Sequence, residues 1–71
     1  MAINSSAEKI GKRLRQFRKD AELTQASLSD KSGVPANTIA RLERGEHQIS
    51  QDTMEKLAKA LKTTASAILG Y

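Results

Sequence analysis

Cysteine and tryptophan are absent from the 71 residues, and tyrosine, phenylalanine and proline occur once each. Without cysteine there is neither a disulfide framework nor a thiolate-bound metal. The single histidine, His47, has no thiol with which to build a zinc site, so no metal or other cofactor is expected. Stability must come from side-chain packing alone, which is demanding at this length. A cysteine-free chain also suits a reducing cytoplasm.

Long apolar runs are missing as well. No stretch nears the roughly 18 consecutive apolar residues that cross a bilayer. The opening Met-Ala-Ile-Asn-Ser-Ser lacks the basic-then-apolar layout of a secretory signal. The four glycines are scattered, so no Gly-rich loop is available to cradle a phosphate. No nucleophile stands with an oriented base, and a small helical domain has little volume for a deep pocket. The expectation is a cytoplasmic protein that is not an enzyme, with one domain over residues 1–71.

Positive charge is in excess. Twelve Lys and Arg stand against eight Asp and Glu, a net +4. Six of the twelve (Lys9, Lys12, Arg13, Arg15, Arg18 and Lys19) fall within eleven residues. This suits a polyanionic partner, and on this feature alone a solvated helix face explains it equally well. A membrane-surface helix would need aromatic anchors, and only Phe17 and Tyr71 are on offer.

Apolar residues recur at helical spacing and nowhere alternate as in a half-buried strand. Ala7, Ile10, Leu14, Phe17 and Ala21 line one face of a first helix. Thr24 is placed to cap a second, short helix through its hydroxyl. Gly33 stands where the chain leaves that helix in a left-handed conformation. Pro35 restarts the pattern in a first helical turn, Ile39 and Leu42 supply the buried side, and Gly45 closes it. Ser50 caps a fourth stripe of Met54, Leu57, Ala58 and Leu61, and Thr64 caps a last turn with Ile68 and Leu69. The expected fold is all-α, a compact five-helix bundle with helices near 6–21, 25–32, 35–44, 51–61 and 65–69.

The stretch from Thr24 to Gly45 carries the most information. Two short helices joined at Gly33 describe a helix-turn-helix. Leu28, Val34, Ile39 and Leu42 bury one side, which leaves Ala36, Asn37, Thr38, Ala40, Arg41 and Arg44 on the outer side of the second helix. Small and hydrogen-bonding residues of this kind can enter a major groove about 12 Å wide and meet base edges.

From Ile10 to Leu69 the chain resembles the phage-repressor/Cro (XRE) family of helix-turn-helix DNA-binding domains. The resemblance rests on Leu23-Thr24-Gln25, Leu28, Gly33-Val34, Thr38-Ile39, Leu42-Glu43-Arg44-Gly45, Ser50, Thr53 and Leu57-Ala58-Lys59-Ala60-Leu61. Departures are Ser29 where Ala is usual, Ser32 in an often apolar place, Pro35 where a Ser or Thr cap is common, and Ile49 and Gln51 near the fourth helix. These leave the fold intact, and the resemblance does not specify the shape of the loop around Glu46 to Gln51.

The resemblance implies a lambda-repressor-like fold and a transcription regulator, a repressor or autoregulator, that reads double-stranded DNA with its third helix. It implies base contacts by Asn37 and Ala36, and by Arg41, for which a phosphate contact is the alternative. Backbone phosphates would be met by Gln25, Thr38 and Arg44; Thr24 serves as cap, phosphate contact or both. Lys12, Arg13 and Lys31 are weaker candidates. Glu43, an acid on a DNA-facing helix, is paired by the family pattern with Arg18. A homodimer on a pseudo-palindromic operator is expected, with Ile68, Leu69 and Tyr71 as candidates for the two-fold contact, or Ile68 and Leu69 for the core. The competing class is an antitoxin-like protein-interaction module that also binds its own operator.

Overall fold

The computed structural model describes residues 5–46 and 49–70, with side chains from Ala7 onward. The readings of His47 and Tyr71 lie outside these residues. Among the described residues five helices follow in order: α1 (Ser5–Asp20), α2 (Gln25–Ser32), α3 (Ala36–Glu43), α4 (Gln51–Ala60) and α5 (Ala65–Leu69). Among the described residues there is no strand, as the all-α expectation requires.

Each helix contributes one fully buried aliphatic side chain: Leu14, Leu28, Ile39, Leu57 and Ile68. Sealing one such side chain contributes on the order of 1.5–3 kcal/mol, so all five helices depend on one shared centre. Val34, Leu42, Met54, Ala58 and Leu61 complete it, and Ile10, Phe17, Leu23 and Ile49 pack around its rim. Helix α3 lies between α1 and α2, α4 packs on α2 and α5, and α5 returns to α1.

Hydroxyl caps open three helices. Thr24, Ser50 and Thr64 accept hydrogen bonds from the backbone N–H groups of Ser27 (3.0 Å), Thr53 (3.1 Å) and Ala67 (3.1 Å), each cap being worth about 1 kcal/mol. Pro35 behaves differently from the expectation that placed it inside α3. It is the residue before the helix, extended at φ −56° and ψ 142°, with no side-chain cap. Its carbonyl accepts from the Ile39 N–H at 3.0 Å, so α3 begins one residue later.

Ala21 is exposed, contrary to its expected place on the buried stripe of α1. The helix ends sooner because Glu22 turns left-handed at φ 61°. The Leu23 N–H then bonds back to the Arg18 carbonyl at 3.1 Å and that of Glu22 to Lys19 at 2.9 Å. This paired ending satisfies two otherwise free carbonyls and turns Leu23, rather than Ala21, toward the core.

Of the two places open to Ile68, a two-fold contact or the core, its burial selects the core. Ile68 has no exposed surface, so it cannot reach across to another molecule. Leu69 is half-buried and packs on the rim of the core.

Candidate nucleic-acid interface

The turn between α2 and α3 is made by Gly33, left-handed at φ 79°, whose N–H donates to the Ser29 carbonyl at 2.8 Å. The Ser32 hydroxyl accepts from the Val34 N–H at 3.1 Å, which braces the turn. The buried Val34 and the buried Ile39 and Leu42 then fix the rotation of α3 about its axis. With that edge turned inward, Asn37 and Arg41, one turn apart, are exposed, as is Arg44 at the helix end. Ala36, Thr38 and Ala40 are half-buried at the flanks.

Helix α1 sets how α3 is held from behind. Gly11 is buried. A Cβ there would run into the Leu42 carbonyl and stand 2.8 Å from that of Glu43. The two backbones therefore meet where α3 ends, with no side chain between them. In the sequence Gly11 carries no signal, because a lone glycine inside a helical stretch reveals nothing until its neighbour is known.

Above this seam, Arg18 of α1 and Glu43 of α3 form a two-pronged ion pair. Nε donates to Oε2 at 2.6 Å and Nη2 to Oε1 at 3.1 Å. Only 12% of the arginine side chain and 4% of the glutamate side chain are exposed. The third guanidinium nitrogen of Arg18 donates to the Leu23 carbonyl at 2.8 Å, so one side chain ties α1, the α1–α2 turn and α3. The hydrogen bond to Glu43 raises the Arg18 pKa above its ordinary value; partial burial opposes this and the Glu43 charge adds to it.

Gln25, at the start of α2, donates to Glu43 Oε1 at 3.1 Å. It is half-buried and thus anchored to the ion pair, with its amide oxygen and second amide hydrogen left for another partner. Arg15, Arg18, Gln25, Ala40, Glu43 and Arg44 line one polar cleft of about 240 Å³. This brings together three sequence candidates (Gln25, Arg44 and the Arg18–Glu43 pair) and adds Arg15, which no motif singles out.

Arg44 is not free. It holds Glu46 by Nε at 2.7 Å and Nη2 at 3.2 Å. Thr24 is exposed, and besides capping α2 its hydroxyl lies 2.9 Å from that of Ser27. Arg13 is drawn away, toward the last carbonyls of α5, with Nη1 3.4 Å from the Leu69 oxygen. Among the described residues no group of three or more His, Asp or Glu could hold a metal, and no helix is long and apolar enough to cross a membrane.

The geometry matches known proteins along most of its length. Residues 14–68 fit the model of the helix-turn-helix family. The immunity repressor of Bacillus phage phi105 is 36% identical over 61 residues, 86% of this chain and 42% of that protein. The transcriptional repressor RghR of Bacillus subtilis is 41% identical over 56 residues, 78% of this chain and again 42% of the relative. The chain thus spans less than half the length of these curated relatives. In crystal structures, the restriction-modification controller protein C.AhdI of Aeromonas hydrophila superposes with a TM-score of 0.88 at 31% identity, covering 90% of this chain and 97% of that one. The clp gene regulator ClgR of Corynebacterium glutamicum does so with 0.85 at 30% identity, covering 90% and 82%. With the matched segment taking in α2, the Gly33 turn and α3, this chain belongs to the helix-turn-helix family of the phage-repressor/Cro type.

Proposed function

We propose that the chain is the DNA-binding part of a transcription regulator and that α3 enters the major groove of its operator. The observation that carries this reading is the exposed edge of α3. Asn37, Arg41 and Arg44 stand clear of the core, beside a cleft edged by Arg15 and Gln25. In this arrangement Asn37 pairs with adenine, Arg41 with guanine, and Ala36 meets a thymine methyl. Gln25, Thr24, Thr38 and Arg44 meet the phosphates that set register. The free N–H groups at the start of α2 favour such an oxygen.

One recognition helix covers few base pairs, so two copies on a pseudo-palindrome, their α3 helices about 34 Å apart, complete the reading. Leu69, half-buried near the end of the described chain, stays a candidate for the two-fold contact. Like a regulator of the Bacillus kind its relatives represent, it then acts in the cytoplasm, where bacterial DNA lies. The repressor names of its relatives favour repression over activation.

Selection of bound duplexes from a random pool tests this. The expected result is one enriched motif with two-fold symmetry. A pool that stays random at low salt would remove the reading.

A further inference from the structure

We infer that Glu46 is a built-in competitor for Arg44, an acid fixed at the end of α3 that weakens the grip of this arginine on the DNA backbone. The inference rests on the DNA-binding reading above. Among the described residues two arginine–glutamate pairs of opposite character meet at the C-terminal end of α3. The Arg18–Glu43 pair is sealed between helices and extended by Leu23 and Gln25, and it serves the fold. The Arg44–Glu46 pair lies in the open, with 59% and 51% of the two side chains exposed. Among the described residues it joins no second element, so stability gives little reason for it; open pairs contribute about 0–1 kcal/mol.

The position of Glu46 is set by backbone. Gly45 turns left-handed at φ 73°, the Gly45 N–H donates to the Leu42 carbonyl at 3.0 Å, and that of Glu46 to the Arg41 carbonyl at 2.9 Å. This doubly bonded ending holds the residue directly past the helix. Its carboxylate takes both Nε and Nη2 of Arg44, and the Arg41 charge acts on it as well. The hydrogen bond from Arg44 holds the Glu46 carboxyl below the usual carboxylate range despite slight desolvation, and the Arg44 and Arg41 charges add to the lowering. Glu46 therefore stays ionised while it faces the groove-side cations of α3. An arriving phosphate must take Arg44 from the carboxylate or share it, with a like charge close by.

The test is the affinity of the whole chain for a non-operator duplex of about 20 base pairs, read by fluorescence anisotropy. Glu46→Gln keeps size and removes charge at an exposed site outside the helices, and a thermal melt verifies folding. The expected result is binding about three- to tenfold tighter at roughly 50 mM salt, close to the worth of one recovered phosphate contact. The gain shrinks at higher salt and is mostly lost in an R44Q background. A parent that binds while E46Q binds no tighter, or an equal gain with and without Arg44, overturns the competitor role alone. A parent that binds no duplex at low salt overturns the DNA-binding reading and this inference with it.

Discussion

Arg18 and Glu43, 25 residues apart in sequence, meet with a 2.6 Å hydrogen bond that joins α1 to the end of α3. Because both are largely shielded from water, removing one leaves the other charge stranded. Such losses run to about 3–5 kcal/mol, whereas the intact pair adds little over apolar packing. Arg18→Ala is therefore expected to lower the melting temperature by more than about 10 °C. Arg15→Ala, at an exposed position on the same helix, should stay within about 0.5 kcal/mol of the parent. Thermal denaturation followed by circular dichroism separates the two; equal shifts would contradict the structural role of Arg18.

Gly11→Ala sets two effects against each other. Alanine gains about 1 kcal/mol in a helix interior. Here, however, the new methyl meets the backbone carbonyls of Leu42 and Glu43, which cannot swing aside like a flexible side chain. Overpacking of this kind costs about 1–3 kcal/mol, so net destabilisation is expected, together with weaker DNA binding as α3 is pushed off its seat. A variant as stable as the parent would show that the two helices part freely.

Glu22 and Lys62 hold left-handed backbone at φ 61° and 57°, a conformation that costs a side-chain-bearing residue about 1–2 kcal/mol. Glu22→Gly and Lys62→Gly should each stabilise by about 0.5–1 kcal/mol after the added chain entropy of glycine is counted. The melting temperature then rises by several degrees per substitution. Unchanged or lower values would mean that the side chains supply an offsetting contact.

Asn37→Ala and Gln25→Ala should differ in kind. Losing Asn37 relaxes preference at one base position, at a cost of about 1–3 kcal/mol against the preferred base, and leaves stability unaltered because the residue is exposed. Losing Gln25 weakens all sequences alike and also removes a hydrogen bond to Glu43. Competition binding with a set of single-base operator variants reads both; a flat profile shift for Asn37→Ala would deny it a base.

Much of this was legible in advance, because the signals were local. Hydroxyls at Thr24, Ser50 and Thr64 announce helix starts through their own backbone neighbours, and Leu28, Ile39 and Leu57 mark buried faces by spacing alone. What escaped depends on partners remote in sequence or on unusual backbone. Ala21 continues the apolar spacing of α1, and nothing in Glu22 advertises the left-handed turn that takes it out of the core. Gly11 acquires meaning only from the carbonyls of α3. Ile68 looked equally fit for an interface or the interior until the other helices closed around it. Glu46 follows Gly45 without any pattern that marks it as the partner of Arg44, though an acid two residues after an arginine at a helix end is a signal worth reading.

Ile39 and Leu42 are sealed inside while Asn37 and Arg41, on the same two turns of helix, are exposed. Mutations at the outer pair therefore carry almost no folding penalty. On the proposed reading of α3, evolution or an engineer can exchange its base-contacting letters while the chassis stays intact.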